Sequence, residues 1–298
     1  MNLQEDNAED SARSVLDQLL SESKLYKTST AYMALLDFVV RLRNFAPFNA
    51  MLLQIQKPGL LYAASASDWR IRFNRTIIAD ARPLIVLRPF GPVALVYDVA
   101  DTEGKPVPED VFLYFTRGTM NESRMKGFRA AIEATGIQWA DVDAGDANAG
   151  KIQVIWRATK KEDRTMYRIS INKNHAEPVR FVTLLHELAH LYLSHLGADI
   201  GLRVPERTVL DHKRREIEAE SVAYLVARRN GVMPKSQTYL SGFVSQETTV
   251  DDLDIYQIMR AAGQIEALLR LGTHAKQEKP VKPEKDSPGN GQPELFFP

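Results

Sequence analysis

The chain has 298 residues, of which 44% are hydrophobic and 26% charged, ordinary globular values with room for one large or two modest cores. Lys+Arg and Asp+Glu each number 38, so overall charge favours no partner, and any nucleic-acid surface has to come from local clustering. Cysteine is absent, which excludes disulfides and thiolate metal sites and leaves His and carboxylate as the strong ligands.

The acidic start, Met1 to Asp10, lacks the basic and apolar regions of a secretory signal, and no apolar run is long enough to span a bilayer. A cytoplasmic protein with no membrane partner is expected. Residues 11 to 45 read as helical, because Val15, Leu16, Leu19 and Leu20, then Tyr32, Leu35, Leu36, Val39 and Val40, recur at helical spacing. A third short helix from Phe48 to Gln56 stops at Pro58-Gly59. From Arg75 the period changes. Thr76 to Ala79, Leu84 to Leu87, Val93 to Tyr97 and Val111 to Phe115 are short β-branched or aromatic runs separated by turn residues, which predicts a small antiparallel sheet. Helices followed by such a sheet predict an α+β unit ending near residue 110.

Several stretches of this part resemble the N-terminal single-stranded-DNA-binding domain of ArdC-type antirestriction proteins: Phe48-Asn-Ala-Met-Leu-Leu-Gln-Ile-Gln, Trp69, Asn74-Arg-Thr-Ile, and Asp98-Val-Ala-Asp-Thr-Glu-Gly-Lys-Pro-Val-Pro. Members of that family commonly carry a Gly- and Lys-rich turn between the first strands, where this chain has Ile78-Ala-Asp-Ala-Arg-Pro83. A DNA surface is therefore expected from local charge. Trp69, Arg70, Arg72, Phe73 and Arg75 interleave arginines for phosphates with aromatics for base stacking, with Arg82 and Arg88 nearby. The alternative is a solvated sheet face with buried aromatics.

Residues 121 to 135 predict a helix closed by Gly136, and Ile152 to Trp156 and Met166 to Ile171 predict two strands joined by the charged turn Lys160 to Arg164. Next comes Thr183-Leu-Leu-His-Glu-Leu-Ala-His190. On a helix, positions four apart share one face, so His186 and His190 can aim both imidazoles at one zinc ion. Glu187 can then reach a metal-bound water without being a ligand, the HExxH arrangement of zinc peptidases. The surrounding residues are apolar nearly all round, as in a buried helix, and the polar exceptions form one stripe that needs partners.

Catalytic zinc normally has three protein ligands. His195, nine residues after His186, is one short of the metzincin spacing and lacks that motif's glycine, so it is not expected to bind metal. The better source is the helix predicted from Lys213 to Arg229. Glu216 and Glu220 share one face, with Glu216 a candidate ligand and Glu220 placed to orient a ligand imidazole; Glu218 points nearly opposite, as a reserve ligand or a solvated charge. Residues 121 to 270 resemble ImmA/IrrE-type zinc peptidases in the His190-to-Glu216 spacing and in Glu216-Ile-Glu-Ala-Glu-Ser-Val-Ala-Tyr. The resemblance implies a zincin-like fold with an HExxH helix and a second Glu-bearing helix. The expected chemistry is zinc-dependent peptide hydrolysis with Glu187 as general base, and His212 and Tyr224 are candidate oxyanion donors.

After a helix predicted from Val250 to Leu271, residues 276 to 298 have the composition of a disordered tail. Gln292, Leu295 and Phe297 in it resemble the peptide by which bacterial DNA-processing proteins dock on the replicative sliding clamp. The expected organisation is an ArdC-like unit over 1–110, a metallopeptidase unit over 111–275 and the tail, acting on DNA-associated proteins. The competing expectation is a DNA-binding, antirestriction-like module whose zinc site is structural or vestigial.

Overall fold

The structure, a computed structural model, describes residues 28–88, 91–108, 120–144, 149–160, 163–207, 209–234 and 253–271. Residues 11–27, the run Val111 to Phe115, and the tail with Gln292, Leu295 and Phe297 lie outside them.

The chain is α+β. Helices α1 (Ser29–Arg41) and α2 (Pro47–Gln56) lead into β1 (Ala63–Ala64) and α3 (Ala66–Phe73), then β2 (Arg75–Ile77), β3 (Leu84–Arg88), β4 (Gly91–Asp98) and β5 (Thr102–Gly104). The expected sheet is divided in two: β4 lies between β1 and β3, while β2 pairs with β5, all antiparallel. Helix α3 was not expected from the sequence. It forms because Ser65 caps it, the hydroxyl accepting from the Asp68 amide at 3.1 Å and donating to the Asp68 carboxylate at 2.7 Å. Asn74, in the left-handed region at φ 50, ends it and turns the chain into β2.

The second half comprises α4 (Glu122–Glu133), β6 (Gln138–Val142), β7 (Gly150–Trp156), β8 (Met166–Asn172), α5 (Glu177–Tyr192), α6 (His212–Arg229) and α7 (Ile255–Leu268). Strand β8 is central, parallel to β6 and antiparallel to β7, which leaves β7 at an edge. Strand β6 escapes the sequence pattern because Gln138, Trp139, Ala140 and Asp141 alternate poorly and none of the strand's residues is fully buried.

One hydrophobic core runs from α1 and α2 through β3 and β4 to α4–α7, across residue 110. Arg229, buried in α6, fastens its ends together: it pairs with Glu266 of α7 at 2.7 Å and donates to the carbonyls of Val39 at 2.7 Å and Phe45 at 2.8 Å. Such a guanidinium satisfies carbonyls that α1 would otherwise bury unpaired at its C-terminus. Helices α5 and α6 pack on each other, with Ala219, Ala223 and Ala227 all buried. Gly150 lets β7 approach α5, since a Cβ there would lie 2.7 Å from both the Ser170 carbonyl oxygen and Thr183 Cγ2. That approach brings the strand edge within reach of Glu187.

Candidate metal centre

Helix α5 starts with proline in its first turn and buries Phe181, Leu184, Leu185, Leu188, Ala189 and Leu191, which leaves the polar stripe half-buried on one side. His186 Nε2 and His190 Nε2 stand 3.0 Å apart. Glu216, from α6, places one carboxylate oxygen 3.4 Å from His186 Nε2 and the other 3.6 Å from His190 Nε2. For zinc bound at about 2.0–2.1 Å, the donors of a tetrahedral site lie about 3.3 Å apart. The three observed separations, two of them to different oxygens of Glu216, bracket that value, so the three residues are placed to hold a metal ion. Among the described residues, His186, His190 and Glu216 are the group whose ligand atoms converge in this way, all within 4.8 Å of one another.

The protons agree with that fit. Glu220 Oε2 sits 3.0 Å from His186 Nδ1, so the ring donates there, which leaves Nε2, on the side of Glu216 and His190, as the nitrogen that would take a cation in place of its proton. Burial disfavours a charge on His186, but the hydrogen bonds to Glu216 and Glu220 outweigh it and carry its pKa up to about 10. The His186 hydrogen bond holds the Glu216 carboxyl well below the usual carboxylate range, while burial and the neighbouring His186 charge push His190 down. Glu216 thus stands ionised and His190 neutral, and a cation would displace only the extra proton on His186.

Glu187 lies beside this triangle. Its Oε2 accepts from the Ile152 amide on the outer edge of β7 at 2.7 Å, and burial raises its carboxyl pKa despite the nearby His186 charge. A carboxylate of raised pKa within reach of a metal-bound water is suited to take and return a proton.

The other sequence-selected residues divide. His212 is exposed, with Nδ1 3.5 Å from Glu216 Oε1, at the outer rim of the centre. Tyr224 is fully buried and its hydroxyl donates to Asp37 at 2.8 Å, so it faces α1 and not a substrate carbonyl. Glu218 is neither a ligand nor a solvated charge. It is buried, paired with Arg207 at 2.8 and 2.9 Å and 3.2 Å from His195 Nε2. His195 in turn approaches His190 from behind, Nδ1 to Nδ1 at 2.9 Å. Spacing alone missed His195 and Arg207; the usable signal was Glu218, a carboxylate between the apolar positions Ile217, Ala219 and Val222.

The stretch expected to bind DNA is built otherwise. Trp69 and Phe73, four apart on α3, point the same way into a cluster with Tyr62; Trp69 is fully buried and its indole donates to the Tyr97 carbonyl at 2.9 Å. Trp69 cannot stack on a base. Arg75 is committed to the two-stranded β2–β5 sheet, donating to Thr102 Oγ1 at 2.7 Å and to the carbonyls of Thr102 and Lys105 at 2.6 and 2.5 Å. Arg72 lies over the Phe73 ring, and Arg70 is exposed at the end of α3.

No family model matches the sequence, and no curated protein does. Among solved structures, the chain is similar to the crystal structure of the antirestriction protein ArdC from plasmid R388 in its Mn(II)-bound form. The two are 15% identical, with a TM-score of 0.41 over 89% of this chain and 99% of that one. No helix among the described residues is long and apolar enough to cross a membrane.

Proposed function

We propose that this chain is a zinc-dependent metallopeptidase of zincin type. The observation that carries the proposal is the triangle of His186, His190 and Glu216 with Glu187 beside it and outside it. A purely structural site has no use for that fourth group, and structural zinc sites usually close with four protein ligands. Two imidazoles with one carboxylate suit zinc better than the all-oxygen environment that manganese favours.

A bound zinc would lower the pKa of its water to about 7 and polarise a peptide carbonyl. Glu187 accepts the proton of the attacking water and delivers it to the leaving amine. The free edge of β7 runs beside Glu187, so an extended peptide can add to it as a further strand, its backbone taking over the Ile152 amide that now serves Glu187. His212 is the remaining side chain from the sequence that stands near enough to assist a developing oxyanion. The substrates we propose are proteins, unfolded locally so that a strand can be presented.

The test is cleavage of a proteome-derived peptide library by the zinc-loaded full chain, followed by mass spectrometry. Wild type should generate new termini and Glu187→Gln should generate none while keeping its zinc. Equal product from both proteins, or none from zinc-loaded wild type, would defeat the peptidase reading.

A further inference from the structure

His195, Glu218 and Arg207 are not accounted for by hydrolysis, yet they form a continuous buried chain that ends on a proposed ligand. The chain is placed by the end of α5. Ser194 takes the left-handed conformation at φ 66, and the amides of Ser194 and His195 donate back to the carbonyls of Leu191 at 3.1 Å and His190 at 2.9 Å. This double closure is the usual helix-ending motif with a serine where glycine is common. It folds His195 back over the helix end and sets its ring behind His190. The His195 side chain is only 3% exposed and the Glu218 side chain 0%.

Polarity can then be read link by link. Arg207 only donates, so Glu218 accepts from it at both oxygens. Glu218 Oε1 also accepts from the Asp254 amide at 3.1 Å, ahead of α7, and Arg207 also donates to the Leu193 carbonyl at 2.9 Å. The carboxylate therefore accepts from His195 Nε2–H. When His190 gives its Nε2 lone pair to a metal, its Nδ1 must carry the proton, and among the described residues that proton points at His195 Nδ1. Each donor meets an acceptor, from the guanidinium to the ligand nitrogen. Reversing the His195 ring would set its protonated nitrogen against His190 Nδ1–H and leave Glu218 facing a lone pair.

We infer that His195, Glu218 and Arg207 are positioning residues that hold His190 in the Nδ1–H tautomer and aim its Nε2 at the metal, as Glu220 does for His186. The inference rests on the metal-centre reading above. It makes the two ligand imidazoles unequal: His186 leans on a carboxylate directly, and His190 leans on one through a second imidazole. Because Glu218 also holds the Leu193–Arg207 connection and the start of α7, displacement of either is transmitted to His190.

Two readouts test this on the full chain. In zinc-loaded wild type with 15N-labelled histidine, long-range nitrogen–proton spectra assigned through single-histidine variants should show His190 protonated at Nδ1 and His195 protonated at Nε2. His195→Phe should weaken zinc binding about 10- to 100-fold, measured against a chromophoric chelator, and His195→Asn, which restores an acceptor near Nδ1, should recover part of the loss. The relay is overturned if His195 carries its proton on Nδ1 or binds zinc itself. It is overturned equally if folded His195→Phe binds zinc as wild type does; should that variant not fold, the tautomer assignment on wild type decides alone. Wild type that takes up no zinc would instead end the metal-centre reading on which the relay stands.

Discussion

Two stretches of this chain set polar and aromatic groups at short spacing, and the fold treats them in opposite ways. Between Trp69 and Arg75 the indole and the Arg75 guanidinium are consumed by the chain itself: they donate to the Tyr97 carbonyl of β4 and to the carbonyls of Thr102, Gly104 and Lys105 in and just after β5. Between His186 and Glu220 they end on one another around a shared gap, with edges of 3.0, 3.4 and 3.6 Å. Polar groups serve the fold when the backbone supplies their partners, and are open to a cation when their ligand atoms converge.

The sharpest way to break the comparison is to truncate Trp69. Its burial with Tyr62 and Phe73 predicts that Trp69→Ala loses about 3–5 kcal/mol of stability in urea denaturation while zinc affinity is kept. A near-neutral effect would mean that Trp69 is free to serve as a binding surface after all. Glu216→Ala should reverse the pattern, weakening zinc binding by about 100-fold or more, beyond the range of outer-sphere changes, with a modest effect on unfolding. Similar zinc affinity in wild type and Glu216→Ala would remove α6 from the metal centre.

A pH series sharpens the same contrast. The His186 pKa is carried up to about 10 by Glu216 and Glu220, so its charged form adds stability to the metal-free protein below the unfolded value of about 6.5. That contribution fades as pH rises toward 10. Zinc must displace the proton, so the rise in melting temperature on adding zinc should grow from pH 6 to pH 9; a rise that shrinks over that interval contradicts the exchange. Smallest of all, Arg70→Ala should change stability by less than about 0.5 kcal/mol, since its side chain is exposed at a helix end. Anisotropy with a labelled single-stranded oligonucleotide then asks whether Arg70 and Arg72 bind DNA without Trp69. A loss of binding in Trp69→Ala greater than in Arg70→Ala, in folded protein, would restore the stacking surface.

Much of this was legible beforehand because it obeys periodicity. The helix bearing His186 and His190, the helix bearing Glu216 and Glu220, and strands β7 and β8 follow from spacing of apolar residues, and the facing of Glu216 with Glu220 follows from four-residue separation. What stayed hidden was set by local capping and by non-periodic connections. Helix α3, in a stretch for which no element was expected, hinges on the Ser65–Asp68 exchange, and it turns Trp69 inward. His195 reaches His190 because Ser194 adopts a conformation that no glycine advertises, and Arg207 comes from a connection without repeat. Tyr224 was a candidate oxyanion donor, yet its hydroxyl is taken by Asp37 of α1. Long-range covering of this kind is not written in a local pattern.

The most direct measurement is zinc per chain by mass spectrometry after exhaustive dialysis against trace zinc, for wild type and for a His186→Ala, His190→Ala double variant. The account predicts a single zinc ion on wild type and none on the folded double variant. Wild type that retains no zinc, or a double variant that retains as much as wild type, would contradict it.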